Sequence, residues 1–200
     1  MEELKIDWNQ ERPNLLDITK IWDSIKFSRL ENWTSSTKLL KETIFETHSI
    51  GGIQLHRYKI SSDKNFDWFA QRNRLDEIEF LKNVFRHKDL ENYRNDLEIK
   101  NENIEVKNIK FWTDIYDTPA LLARAMGYGG AYEKIDHRLA WKIATDFIND
   151  EFENRFEEFI CYSFVINEAQ WFWNIAWDNS ILLFDKRKSE ITIIDITDSD

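Results

Sequence analysis

Histidine and cysteine are the side chains best suited to bind metals or act as nucleophiles, and this chain has few of them. Its histidines show neither the HExxH nor the CxxC spacing of zinc sites; they are His48, His56, His87 and His137. The single cysteine, Cys161, lies in an apolar run, which is typical of a buried small side chain rather than of a reactive thiol. The sequence therefore predicts no metal, no cofactor and no recognised catalytic centre.

Carboxylates are the other groups that could do chemistry. The pairs Asp150-Glu151 and Glu157-Glu158 could supply a general acid and a general base. Asp195 with Asp198 and Asp200 could hold a divalent cation. Adjacent side chains point in different directions, however, and nothing else in the sequence completes a cation site. We interpret the pairs as an acidic surface and the last aspartates as an acidic terminus.

The segment from Gly127 to Gly130 is the only glycine-rich stretch with a motif-like appearance. It lacks the lysine and the spacing of a phosphate-binding loop, and it follows a predicted helix rather than a strand. We interpret it as a helix C-terminus followed by a tight turn.

The net charge of −10 is distributed unevenly along the chain. Residues 136–200 carry 14 acidic and 6 basic side chains, so a net charge of −8 falls in the last third and −2 in the rest. Nucleic acids and anionic membranes require positive charge and are disfavoured as partners. The asymmetry fits either simple solubility or a basic protein partner attracted by negative potential.

The N-terminal residues have neither the basic region nor the apolar region of a signal peptide. Uninterrupted apolar runs reach only about four residues, far short of a membrane span. Together with the single cysteine, these features predict a cytoplasmic protein.

Hydrophobic periodicity predicts one domain over residues 1–200, because no linker or low-complexity stretch interrupts it. Helices are predicted over 17–30, 35–45, 66–85, 90–98, 120–126 and 137–152. Strands are predicted over 53–60, 104–111, 159–166, 171–177, 181–184 and 191–196. The expected fold is α+β, with a helix-rich part over 1–157 packed on antiparallel strands over about 158–197.

Tryptophan is unusually frequent, with nine residues in the chain. Trp171, Trp173 and Trp177 would share one face of the predicted strand 171–177. We expect this stripe to be part of the core, with a ligand-stacking platform as the alternative.

The C-terminal part of the chain resembles a known group of bacterial proteins. The residues that carry the resemblance are Leu121–Ala125, Gly129–Tyr132, the helix 137–152, Ala176–Asp178, Ile181–Asp185 and Ile196–Asp200. In these segments the chain is similar to polymorphic-toxin immunity proteins, which are encoded beside secreted toxins; residues 1–115 do not share the resemblance.

The resemblance implies a cytoplasmic protein without an active site that blocks a toxin by covering it. Many such toxins are basic nucleases, so an acidic face would dock on their phosphate-binding groove. Exposed acids in the last third are the candidate contacts: Asp146, Asp150, Glu151, Glu153, Glu157 and Glu158. An enzyme of unrecognised type, with carboxylates or His137 near Gly127–Gly130, and a general protein-interaction adaptor are the alternatives.

Overall fold

A computed structural model of the chain describes residues 4, 6–61, 63–100, 104–111, 115–166 and 169–200, and of residues 107–111 only the backbone. The helices are α1 Leu15–Ser24, α2 Ser35–Thr47, α3 Lys64–Gln71, α4 Phe80–Arg86, α5 Glu91–Asp96, α6 Asp117–Tyr128 and α7 His137–Phe152. The strands are β1 Phe27–Arg29, β2 Gly52–Ile60, β3 Val106–Phe111, β4 Phe159–Ile166, β5 Asn179–Asp185 and β6 Glu190–Thr197. The predicted α+β class is confirmed.

All six strands form one antiparallel sheet in the order β1-β2-β6-β5-β4-β3. Strands β5 and β6 from the C-terminal part lie in its middle, and the earlier strands β1 and β3 form its two edges. One face of the sheet packs against α1, α3, α4 and α5 through an aromatic-rich core. The other face packs against a helical layer formed by α2, α6 and α7, so the sheet has a hydrophobic core on each side.

The double burial explains why the C-terminal strands read as continuous apolar runs. Along β6, Ile191 and Ile193 belong to the first core, whereas Ile194 and Ile196 belong to the second. Successive strand residues point to opposite faces, so a strand covered on both faces has apolar residues on both, and the few polar ones need partners inside the fold. Each such side chain contributes about 1.5–3 kcal/mol by burial.

Helix α7 has the bounds that its sequence pattern predicts. The carboxylate of Asp136 accepts hydrogen bonds from the backbone N–H groups of Arg138 (2.9 Å) and Leu139 (3.2 Å), which caps the first turn. The helix ends at Glu153, whose φ of 49° leaves the helical region. The apolar stripe faces the sheet, although Leu139 at its edge is exposed.

Two predicted helices are shorter than their apolar patterns suggest. The predicted helix 66–85 is divided into α3, a 3₁₀ turn and α4, because Asn73 (φ 55°) and Glu79 (φ 47°) adopt left-handed conformations. The predicted helix 17–30 ends at Ser24, and Phe27–Arg29 forms the edge strand β1 instead. Among the residues that the structure describes, no helix is long and apolar enough to span a membrane.

The predicted strand 171–177 is wrong. This segment forms turns, and the carboxylate of Asp178 accepts a hydrogen bond from the backbone N–H of Ile175 at 3.0 Å. Phe172 is buried and Trp171 packs beside it, whereas Trp173 is exposed. The alternate spacing of the tryptophans therefore does not indicate a strand here.

Asp198 joins three segments of the chain at the end of β6. Its buried carboxylate accepts hydrogen bonds from the backbone N–H groups of Ile50 (3.0 Å), Gly51 (3.1 Å) and Ala131 (2.8 Å). Burial would raise the pKa of Asp198, but these donors outweigh it and hold the pKa below its ordinary value. This contact, the Asp198 junction, ties the α2–β2 loop and the α6–α7 loop to the sheet.

Glycines at the Asp198 junction are required by close approach. A Cβ on Gly130 would lie 1.8 Å from a carboxylate oxygen of Asp198, and one on Gly51 would lie 2.3 Å from the carbonyl oxygen of Thr197. Gly129 ends α6 with a φ of 72°, as the interpretation of a helix C-terminus and turn predicts. Gly51, Gly130 and Asp198 thus meet in one structural contact.

The Asp198 junction predicts a large loss of stability when its acceptor is removed. Asp198→Ala should lower the free energy of unfolding by about 3 kcal/mol, because three backbone N–H groups at a junction of three segments lose their acceptor. Urea unfolding followed by circular dichroism measures this. Asp200→Ala, at an exposed aspartate two residues away, is the control and should change stability little. Equal effects of the two variants would contradict the assignment.

Candidate partner-binding surface

Three of the six predicted contact residues, Asp150, Glu153 and Glu157, are exposed at the C-terminal end of α7 and in the turn that follows, and Asp146 lies half-buried beside them. Asp146 and Asp150 lie one helical turn apart, and Asp146 pairs with Lys142 at the exposed surface. Glu153 and Glu157 continue the acidic run beyond the helix, although Glu153 contacts Lys188 at 2.7 Å. Asp150 makes no ion pair within the described part of the chain. We call these four residues the acidic end of α7.

The other two predicted contacts are not exposed acids. Glu151 is half-buried, and its carboxylate accepts hydrogen bonds from Arg57 at 2.6 Å and from the Thr37 hydroxyl at 2.8 Å. Glu158 is buried and accepts hydrogen bonds from Arg155 and Arg187. Both residues are therefore unsuited to a first contact with a partner, and their role is internal.

Arg155 is the centre of this internal network. Its guanidinium donates two hydrogen bonds to Asp185, at 3.0 and 2.6 Å, and one to Glu158 at 3.2 Å. All three side chains are buried. Hydrogen bonding to Asp185 raises the pKa of Arg155 above its ordinary value, against the opposing effect of burial. The network fastens the turn after α7 to the β5–β6 hairpin, since Asp185 also accepts from the backbone N–H of Arg187 and Lys188.

The electrostatic state of Glu158 follows from the same contacts. Burial alone would raise its pKa, but the hydrogen bonds from Arg187 and Arg155 outweigh burial and hold the pKa below its ordinary value. Glu158 is therefore paired inside the fold and does not contribute to an exposed acidic surface.

The helical layer has a second exposed feature, which is apolar. Of thirteen large apolar side chains that are exposed among the described residues, eight lie on this layer or its loops. They are Leu39, Phe45, Ile50, Tyr116, Tyr128, Tyr132, Leu139 and Trp141. Concentrations of exposed apolar side chains with polar neighbours are typical of protein-binding surfaces.

Rings at the α6–α7 connection form the most compact part of this set. Tyr128 stacks edge-on against His137 with ring centroids 5.6 Å apart. Trp141 lies one turn further along α7, next to His137 on the same side of the helix. Tyr132 projects from the loop between the helices. We call Tyr128, Tyr132, His137 and Trp141 the aromatic surface; its tyrosines and tryptophan are 72%, 65% and 51% exposed.

The Asp198 junction brings two more apolar side chains to this region. Gly130 donates its backbone N–H to the carbonyl of Thr47 at 3.0 Å, so the end of α2 lies beside the α6–α7 loop. Phe45 on α2 and Ile50 in the following loop are both exposed there. The aromatic surface is therefore carried by backbone segments that are fixed by hydrogen bonds rather than by a free loop.

Sequence reasoning did not identify the aromatic surface, although one signal for it was present. Trp141 lies outside the apolar stripe of α7, on the same side as Thr145. A residue outside the stripe faces away from the core, so this position predicts an exposed tryptophan ring. Tyr128 lies in the segment Gly127–Gly130, for which the sequence predicts a helix C-terminus and a tight turn, and Tyr132 follows that segment.

Two clefts among the described residues do not lie at His137. A cleft of about 600 Å³ lies between α4 and β3, and one of about 800 Å³ lies beside the turn after α7; neither is lined by His137 or by Gly127–Gly130. The suggested cation ligands do not converge, because Asp195 and Asp198 bind different partners. In the part of the chain described, no three histidine, cysteine or acidic residues could hold a metal ion.

Comparison with protein-family models and with curated protein sequences finds no match to this chain. The function is therefore inferred from the geometry and from the residues themselves.

The Arg155 network predicts a strong dependence of stability on one cation. Arg155→Met should lower the free energy of unfolding by about 3–5 kcal/mol, because Asp185 would remain buried without a cation and Glu158 would keep only Arg187. Lys142→Met removes an exposed ion pair on α7 and should cost less than about 1 kcal/mol. Chemical denaturation of both variants measures the difference. Similar losses would show that the Arg155 network does not carry the stability assigned to it.

Proposed function

We propose that this protein is an immunity protein that acts in the cytoplasm and neutralises a cognate toxin by binding over its functional surface. The observation that carries the proposal is the aromatic surface on the helical layer. It combines exposed rings with a backbone that the Asp198 junction holds in place, so binding would order few additional groups. The similarity of the same segments to toxin immunity proteins supports this function over a general adaptor.

Tyrosine and tryptophan are the side chains that most often dominate binding energy at protein interfaces. Trp141 and Tyr128 offer large areas at a low cost in side-chain entropy, and the hydroxyl of each tyrosine can hydrogen-bond at the edge of a contact. The charges around them are mixed, which fits the polar rim of an interface.

The acidic end of α7 supports a basic partner. Its carboxylates, Asp146, Asp150, Glu153 and Glu157, extend along the same helix as Trp141 and into the next turn. Negative potential beside an aromatic contact would speed the approach of a positively charged protein, such as a nuclease with a groove for phosphates. The proposed partner is thus a basic toxin, without a role for nucleic acid or membrane.

The aromatic surface predicts the effect of a single truncation on binding. Trp141→Ala should raise the Kd for the toxin encoded beside this protein about 30-fold or more, because a central aromatic anchor is lost. Isothermal titration calorimetry measures the affinity. Leu16→Ala, at an exposed residue of α1 on the opposite side of the sheet, is the control and should leave the Kd unchanged.

The binding measurements test the proposed function and the aromatic surface separately. No binding of the neighbouring toxin by the wild-type protein would refute the proposed function. Tight binding that is insensitive to Trp141→Ala would leave the function standing and reject the aromatic surface.

The acidic end of α7 predicts a salt-dependent effect on association. Reversing two charges, Asp150→Lys with Glu153→Lys, should slow association about tenfold at low ionic strength, and added salt should shrink the difference. Stopped-flow fluorescence measures the rate. Glu91→Lys with Glu98→Lys makes the same change in net charge on the opposite layer. If both double variants slow association equally, net charge rather than this surface steers the partner.

A further inference from the structure

A group of buried polar side chains lies between α5 and the sheet, on the face opposite to the aromatic surface. Asp195 on β6 is fully buried, and Ser180 donates a hydrogen bond to its Oδ1 at 2.6 Å. The hydroxyl of Tyr93, from α5, approaches the same oxygen at 3.5 Å. The second oxygen, Oδ2, has no hydrogen-bond partner among the described residues.

His56 is another incompletely paired member of this group, and the hydroxyl of Tyr58, whose ring stacks on His56, also has no hydrogen-bond partner among the described residues. Its Nε2 lies 2.9 Å from Oδ2 of Asp96, whose side chain is 41% exposed, whereas Nδ1 is buried without a partner in the described chain. The register of β2 and β6 pairs Gln54 with Asp195 and His56 with Ile193, so His56 and Asp195 are diagonal neighbours on one face. Such neighbours lie about 7–8 Å apart at their Cα atoms. The ring of Tyr93 contacts His56 edge-on with centroids 5.0 Å apart.

The protonation states of Asp195 Oδ2 and His56 Nδ1 are complementary. No lysine or arginine forms an ion pair with Asp195 among the described residues, and burial raises its pKa to about 7. Its proton lies on Oδ2, because Oδ1 accepts from Ser180 and Tyr93. Burial also lowers the pKa of His56, despite the nearby Asp96 carboxylate, so the ring is neutral and donates Nε2–H to Asp96. Oδ2 of Asp195 is then a donor and Nδ1 of His56 an acceptor.

Other titratable and charged groups around the pair do not change this assignment. Tyr58 and Tyr93 face it from β2 and α5, and burial raises the pKa of both phenols, so they stay neutral. Arg29 and Glu31 act on His56 from the rim with opposite signs, and Arg94 acts on Tyr58.

We propose that one water molecule bridges Oδ2 of Asp195 and Nδ1 of His56, and that the bridged pair is a proton-dependent contact holding α5 on the sheet. A water in a buried polar site needs two or more partners, and a donor and an acceptor that both lack a partner are carried here by diagonal neighbours on one face of the sheet. Ionisation of Asp195 would leave a buried charge without a cation. It would loosen α5, which contributes Tyr93 and Asp96 to the site.

The sign of the pH effect follows from proton linkage. The native state keeps the proton of Asp195 up to about pH 7, whereas the unfolded chain releases it near the ordinary value of about 4. Unfolding between these values releases a proton, so rising pH favours the unfolded state. The unfolding equilibrium constant of the wild type, relative to Asp195→Asn, should rise about tenfold per pH unit from pH 5 to 7 and level off above.

Urea titrations at several pH values test this ratio. Glu42→Gln, at an exposed carboxylate on α2, is the control and should follow the wild type at every pH. A ratio between wild type and Asp195→Asn that does not vary with pH would overturn the proposal. Hydrogen exchange at α5 amides, corrected for the intrinsic rate, should be faster at pH 8 than at pH 6 only in the wild type; no difference between these pH values would contradict a loosened α5.

A measurement on the wild-type protein alone keeps the proposal testable if Asp195→Asn does not fold. Nitrogen-15 NMR of the histidine ring should show His56 as the neutral Nε2–H tautomer from pH 6 to 8, with Nδ1 accepting a hydrogen bond and an Overhauser effect to water. A proton on Nδ1 at pH 7 would overturn it.

Discussion

The central strands of this protein are buried on both faces, and this constraint determines where its charges go. A sheet covered by helices on each side leaves no solvent at the strand ends for Asp185, Asp195 and Asp198. Each carboxylate must therefore find donors within the fold or remain protonated. Asp185 binds Arg155, Asp198 binds backbone N–H groups, and Asp195 has only hydroxyl donors. The burial of these three aspartates is thus compensated in three different ways.

Because of the same constraint, not every acidic residue of the sequence contributes to an exposed acidic surface. Glu151 and Glu158 count as acids in the sequence, yet each lies against a guanidinium, from Arg57 and from Arg155 and Arg187. Of the six predicted contacts, only the four at the acidic end of α7 are then placed to meet a partner. In our account that end steers a basic toxin, and the exposed rings beside the Asp198 junction provide the binding energy. The α5 side of the sheet holds the proton-dependent contact, so binding and pH sensitivity occupy opposite faces.

The elements that depend on local pattern were predictable from the sequence. Helix α7 has an N-cap at Asp136 and a clear apolar stripe, and its bounds agree with the prediction. The strands around Ile181 and Ile191 were equally clear, because burial on both faces produces uninterrupted apolar runs. The segment 66–85 was not, since Asn73 and Glu79 break the helix through left-handed conformations that non-glycine residues seldom adopt. The ion pairs of Glu151 and Glu158 join residues distant in sequence, and residue spacing contains no information about such contacts.

The most direct test of the binding account is hydrogen–deuterium exchange of the protein alone and in complex with the toxin encoded beside it. The account predicts slower exchange in the α6–α7 connection and along α7, with α1, α3 and α4 unchanged. Slower exchange confined to α1, α3 and α4, or no change anywhere despite binding, would contradict it.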